Sequence, residues 1–213
     1  MKTVGRGGAP DEGGLRSLVI ERAGAAGVGI CDDQAARMAA YLSVLALWNR
    51  RINLTAFDLF EPTTDAIDRL VVEPLIAAGL VRVGDKRGLD IGSGGGSPAI
   101  PLMVAVPGLE MVLVEVRERK AAFLREALRV VGLGGTVETA LVQDLASGAK
   151  YAPVDLVTFR AVRADAGLWS AVDVLLKSEG RVLWFLNIGY KANIIGFKEV
   201  DRSGLVLALS KTS

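Results

Sequence analysis

The chain has 213 residues and 51% hydrophobic content, enough for one domain, or one domain with an extension, to bury its own core. Its 25 Lys and Arg against 24 Asp and Glu leave a net charge of +1, so nucleic-acid binding has to rest on local clusters such as Arg50-Arg51 or Arg117, Arg119 and Lys120. Histidine is absent and Cys31 is the single cysteine, which excludes Cys/His metal centres, Ser-His-Asp and Cys-His nucleophiles and an internal disulfide framework. From Met1 onward no apolar signal-like run appears, and the longest uncharged stretch, 92–109, is broken by glycine and proline; neither a secretion signal nor a membrane span is expected, and the expected location is cytoplasmic. Residues 1–14, with five glycines and a proline, read as a disordered tail. Residues 15–82 read as a helical extension. Leu15, Leu18, Val19 and Arg22 begin one helix; Asp32-Asp33 cap a second that runs to about Asn49; Thr63 or Thr64 caps a third ahead of Ile67, Leu70 and Val71. In 83–213 short apolar runs alternate with helical patterns: strands near 88–91, 111–116, 136–142, 154–159 and 180–186, helices near 99–106, 118–131 and 165–177, and a closing strand at 205–209. Such alternation implies a doubly wound α/β sheet.

The run 90–97, Asp90-Ile91-Gly92-Ser93-Gly94-Gly95-Gly96-Ser97, leaves an apolar strand and enters a helix. Glycine at Gly92, Gly94 and Gly96 permits backbone angles closed to other residues and lets a ligand approach bare main chain at a helix start. Dinucleotide sites require glycine at the first, third and sixth positions, but the sixth here is Ser97. Glycines at alternate positions behind the acidic Asp90 resemble instead motif I of S-adenosylmethionine-dependent methyltransferases. A flexible surface loop is the alternative. Glu115 follows about 20 residues beyond the glycines, at the end of the apolar strand Met111-Val112-Leu113-Val114, where an acid accepts ribose hydroxyls; otherwise it is a solvated strand-end charge.

Further residues extend the likeness to about 41–186. Leu47-Trp48-Asn49-Arg50-Arg51-Ile52-Asn53-Leu54-Thr55-Ala56 resembles the "WN…NLTA" signature of the glucose-inhibited division protein B family, the bacterial 16S ribosomal RNA guanine-N7 methyltransferases. Matching stretches follow at 89–98, at Val114-Glu115 with Arg119-Lys120 and Phe123-Leu124, and at 154–162 for the family's "DVVTSRA" segment. The resemblance implies a Rossmann-like methyltransferase fold with an N-terminal helical extension, S-adenosyl-L-methionine as cofactor, small-subunit ribosomal RNA as partner, no metal, and a monomer. Its cofactor contacts fall on Asp90, Gly92, Ser93, Gly94, Gly96, Ser97, Glu115, Arg160, and Asp144 and Leu145 at the end of the third strand. Asp144 there suits the adenine amino group, or else caps a helix or turn. Trp48 packs the extension on the core or stacks a base.

The chain departs from the family's pattern at several positions. Its "RH…DSL" segment reads Arg69-Leu70-Val71-Val72-Glu73-Pro74-Leu75, Ser97 stands where a larger apolar side chain is usual, and Lys-Gly after the fifth strand is Leu186-Asn187. Guanine N7 carries a lone pair and no proton, so alkylation needs alignment rather than a general base. Arg160 is then the residue of the catalytic site, as a positioning group; its alternative is a strand-end salt bridge to Asp155 or Glu115. A small-molecule methyltransferase, or a cofactor-binding assembly factor without catalysis, remains an alternative function.

Overall fold

A computed structural model describes residues 10–148, 151–186 and 194–212. Helix α1 (Glu12–Ala25) is followed by α2 (Asp32–Asn49), and a third helical stretch runs through α3 (Thr64–Ile67), a π-helical turn (Asp68–Val72), α4 (Glu73–Ala77) and a 3-10 turn (Ala78–Leu80). Then come β1 (Arg87–Ile91), α5 (Ala99–Ala105), β2 (Glu110–Val114), α6 (Glu118–Val131), β3 (Thr136–Glu138), α7 (Val142–Ser147), β4 (Val154–Arg160), α8 (Ala166–Leu175), β5 (Leu176–Phe185), β6 (Phe197–Ser203) and β7 (Val206–Lys211). The seven strands form one sheet in the order β3-β2-β1-β4-β5-β7-β6. The first five run parallel; β7 is antiparallel to β5, and β6 to β7.

Local sequence explains the elements. β1, β4 and the second half of β5, Val182 to Phe185, are covered on both faces, which is why Leu89, Ile91, Leu156, Val157, Phe159 and Val182 to Phe185 are apolar and buried. Helix α6 buries Ala121, Leu124, Leu128 and Val131 along one face, and Gly132 ends it at φ +68°. The Thr63 hydroxyl caps α3 by accepting from Ala66 N–H at 3.2 Å, and the Asp165 carboxylate caps α8 by accepting from Leu168 N–H at 3.0 Å. One apolar cluster joins Leu15, Val19, Met38 and Leu42 of the extension to Met111, Leu113 and Leu156 of the sheet and Phe123 and Leu124 of α6; the other face is packed by α7 and α8 on Leu89, Val157, Phe159 and Trp184. Trp48 meets Phe123 edge-on at 5.9 Å, so it packs the extension on the core.

Several expectations change. Helix α1 begins at Glu12, three residues inside the expected tail, because Asp11 and Glu12 put negative charge at its start and the Asp11 carbonyl accepts from Leu15 N–H at 2.9 Å; residues 1–9 lie outside the described residues. The N-cap of α2 is Cys31, with Asp32 and Asp33 in the first turn. Strand β3 ends at Glu138 rather than at 142. Val142 and Leu145, spaced three apart, are both buried by the short helix α7, so the apolar stretch around 140–142 follows a helical rather than a strand period. Strand β6 has no sequence counterpart: five of its seven residues, Lys198 to Arg202, are exposed, and only Phe197 is buried.

Candidate functional site

A cleft of about 610 Å³ opens at the carboxyl ends of β1, β2 and β4. The strand order reverses direction between β1 and β4, the place where open α/β sheets leave a ligand crevice. The lining comes from three sources: the glycine loop with Gly92, Ser93, Gly94 and Ser97; Arg160 at the end of β4 with Glu115 and Val162 just beyond the strand ends; and Leu54, Thr55, Ala56 and Phe57 from the extension. At Gly92 φ is +69°, and a Cβ there would lie 2.8 Å from Val162, so this position takes only glycine without strain.

The loop is held from several sides. Glu115 is buried, and its carboxylate accepts from Gly94 N–H at 3.1 Å and from Arg117 N–H at 2.9 Å. The Tyr41 hydroxyl donates to the Gly95 carbonyl at 2.6 Å, and the Ser97 hydroxyl donates to the Leu70 carbonyl at 2.8 Å. Asn49 forms a second clamp: its side chain donates to the Thr55 carbonyl at 3.0 Å and accepts from Leu54 and Thr55 N–H at 2.9 and 3.0 Å. That clamp gives the Trp48-Asn49 to Leu54-Thr55 stretch its physical purpose, which is to fix the loop that forms one wall of the cleft.

Arg160 donates to the Arg69 carbonyl at 2.5 Å and to the Glu73 carboxylate at 2.6 Å, and its guanidinium lies 4.8 Å from the Phe185 ring centre. Its ion-pair partner is therefore Glu73, not Asp155 or Glu115 as the sequence suggested; Asp155 instead accepts from Lys86 and Arg87 N–H at the opposite end of the sheet. Arg69 binds the same Glu73 carboxylate at 2.6 and 2.8 Å. Burial lowers the Arg160 pKa to about 10 against the attraction of Glu73, so the group stays charged at neutral pH. Burial likewise raises the Glu73 pKa, opposed by the two arginines.

Asp90 lies in the core and does not line the cleft. It accepts from the Thr158 hydroxyl at 2.5 Å, while its second oxygen is buried without a partner among the described residues. Burial raises its pKa to about 6, opposed by the hydrogen bond from Thr158 and by the charge of Arg160, while the Ser93 hydroxyl donates to the Asp90 main-chain carbonyl at 3.0 Å. Gly96 is also behind the cleft, with Ile100 2.7 Å from where a Cβ would sit. Asp144 and Leu145 are not at a strand end: both belong to α7, Asp144 exposed and Leu145 buried, and neither lines the cleft. The loop 139–141 stands at the end of β3 instead, and its Leu141 is exposed. Asn187 lies outside the described residues.

Sequence reasoning missed Glu73, Tyr41 and Thr158. The four-residue spacing of Arg69 and Glu73 on a helix was a visible signal for the first. Thr158 pairs with Asp90 only through the parallel register of β1 and β4, which no local pattern reveals. Among the described residues no three His, Cys, Asp or Glu side chains gather to hold a metal ion, and no helix is long and apolar enough to cross a membrane.

S-adenosylmethionine fits these residues. Its ribose hydroxyls call for an acceptor, met by Glu115, and its charged methionine end calls for polar groups with unfilled valences at the cleft, met by Arg160, whose Nε has no partner among the described residues, with the unpartnered second oxygen of Asp90 buried behind the glycine loop.

Comparison with known proteins agrees. The model of the rRNA small subunit methyltransferase G family matches residues 34–199. Relatives named ribosomal RNA small subunit methyltransferase G include those of Syntrophotalea carbinolica, 35% identical over 72% of this chain and 68% of that protein, and of Stenotrophomonas maltophilia, 36% identical over 75% and 72%. Among solved structures, an O-methyltransferase from Bacillus cereus in complex with SAH superposes with a TM-score of 0.52 at 22% identity, covering 68% of this chain and 65% of that one. The mitomycin 7-O-methyltransferase MmcR does so with a TM-score of 0.54 at 17% identity, covering 84% and 71%. These likenesses show the Rossmann-like methyltransferase fold. By its sequence over most of its length, the chain belongs to the rRNA small subunit methyltransferase G (GidB) family.

Proposed function

We infer that the chain transfers the methyl group of S-adenosylmethionine to guanine N7 in 16S ribosomal RNA, acting as a monomer in the cytoplasm. The observation that carries this reading is the convergence in one cleft of the glycine loop, Glu115 and Arg160 with the Asn49-clamped wall of the extension. Bound there, the cofactor supplies an electrophilic methyl on a sulfonium. The chain's own residues do the rest. Glu115 accepts the ribose hydroxyls, and the exposed Val116 and Leu141, on the loops after β2 and β3, offer apolar surface to the adenine. Asp90 and the Arg160–Glu73 pair set the charge beneath the methionine end.

Guanine N7 brings a lone pair and loses no proton, so a site without histidine has what the reaction needs: alignment of nucleophile, methyl and sulfur, which is worth roughly 7–11 kcal/mol. The wall 54–57 and the rim cations Arg117 and Lys120 are suited to an unstacked base and its flanking phosphates. The segment 69–75, altered from the family pattern, keeps an acid at Glu73 that joins Arg69 to Arg160.

Chemical cleavage at N7-methylguanosine in ribosomal RNA from cells with and without the gene tests the reading. Loss of one cleavage site on deletion supports it. Unchanged cleavage, together with methyl transfer by the purified protein to a small-molecule pool but not to 16S RNA, overturns it.

A further inference from the structure

The turn before α4 leaves two carbonyls without their ordinary helical partners. In a regular α-helix the Arg69 carbonyl would accept from the N–H of Glu73, but that N–H reaches back five residues to the Asp68 carbonyl, closing a π-helical turn. The Leu70 carbonyl would accept from residue 74, which is Pro74 and has no N–H. Both carbonyls are taken up by the cleft: Arg69 by the Arg160 guanidinium at 2.5 Å, Leu70 by the Ser97 hydroxyl at 2.8 Å. The Ser97 bond spans from the last residue of the glycine loop to the helical segment that carries Arg69 and Glu73, and Ser97 and Leu70 both line the cleft.

We propose that Ser97 is a positioning residue for the cofactor, its hydroxyl tethering the glycine loop to the Leu70 carbonyl that Pro74 leaves free, so that Pro74 and Ser97 act as a pair. The tether holds the loop's main chain at one distance from the Arg69–Glu73–Arg160 cluster and so sets the width of the cleft where the cofactor's methionine end lies. The proposal rests on the cleft being the cofactor site.

The test is titration calorimetry with S-adenosylhomocysteine, together with thermal melts, on the wild type, Ser97→Ala, Ser97→Thr and the double variant Ser97→Ala/Pro74→Ala. Ser97→Ala is expected to weaken binding about tenfold, the worth of one well-placed hydrogen bond, and to lower Tm by a few degrees because the Leu70 carbonyl loses its donor. Ser97→Thr keeps the hydroxyl and is expected to bring affinity back to within about threefold of the wild type. In the double variant the main chain at position 74 gains an N–H for the Leu70 carbonyl, so Tm recovers, while affinity stays as weak as in Ser97→Ala because the loop is still untethered. Recovery of affinity along with Tm, or an unchanged affinity in Ser97→Ala, means that Ser97 serves folding alone and overturns the proposal. Gly92→Val separates the two levels: if it abolishes binding while Ser97→Ala does not weaken it, the tether alone fails, and if neither weakens it, the placement of the cofactor fails as well.

Discussion

Asp90 joins the stability of the sheet to the chemistry of the cleft. Its carboxyl is buried beneath the glycine loop with one oxygen bonded to Thr158 and the other unpartnered among the described residues, and its pKa is raised to about 6. A carboxyl whose folded pKa exceeds its unfolded value binds its proton more tightly in the native state. Folding therefore loses stability as pH rises from the unfolded value toward about 6, and above that the full penalty remains, of order 2–3 kcal/mol for a shift of this size. The Asp90→Asn variant removes the penalty: its Tm should come close to the wild type near pH 4 and exceed it at pH 7.5, while its affinity for S-adenosylhomocysteine falls. Melts at the two pH values check this, and a Tm difference that does not grow with pH contradicts it. Glu115 presents the opposite balance, because its carboxylate holds Gly94 and Arg117 N–H and also faces the cleft. Glu115→Ala is expected to weaken cofactor binding about 10- to 100-fold, the value of charge-assisted hydrogen bonds, with a smaller loss in folding. Wild-type affinity with a lowered Tm would assign Glu115 to the fold alone.

The helical stretch from Thr64 to Ala77 brings Arg69 and Glu73 to the site across a π turn, Asp68–Val72. Glu73 there sits between Arg69 and Arg160, each of which is mostly buried, so removing its charge leaves two guanidinium groups facing one another. Glu73→Gln is expected to destabilise the protein by about 2–4 kcal/mol in urea unfolding, somewhat below the cost of breaking a fully buried pair because water still reaches part of each side chain. A loss under about 0.5 kcal/mol, the range of an exposed pair, would show that the cluster is solvated. Such an element was half legible in the sequence. Thr63 announced the helix start, and the four-residue spacing of Arg69 and Glu73 was a signal left unread, whereas the pairing of Glu73 with Arg160 comes only from the packing of this stretch against the end of β4, a tertiary fact. The same division holds elsewhere. Strong periods and the glycine run revealed β1, β2, α6 and the loop between them, whereas α7 and β6 did not announce themselves: one buries only Val142 and Leu145 in six residues, and the other is an edge strand with charged residues on it. Asp144 was misplaced for that reason, since its assignment depended on where β3 ended.

At the scale of the whole molecule, α1 and α2 share an apolar cluster with β2 and α6, and we propose that the extension behaves as one body with the sheet. A single unfolding transition, with calorimetric and van't Hoff enthalpies equal, is the expected result for the full chain; two resolved transitions would make the extension a separate unit. Binding of a polyanion by such a body has little long-range help, because the net charge is only +1. The attraction must then be local to the cleft mouth, where Arg117 and Lys120 line the opening and Arg119 lies against the Arg51 carbonyl at 3.4 Å. Each phosphate that a rim cation neutralises releases counterions and adds somewhat less than one to the slope of log K against log salt. The double variant Arg117→Ala/Lys120→Ala should therefore bind 16S RNA more weakly at low salt, with a slope reduced by about 1 to 2, and approach the wild type as salt rises. Fluorescence anisotropy across a salt series reads both quantities. A loss of affinity of the same size at every salt concentration would mean that these side chains shape the cleft and do not meet the RNA backbone.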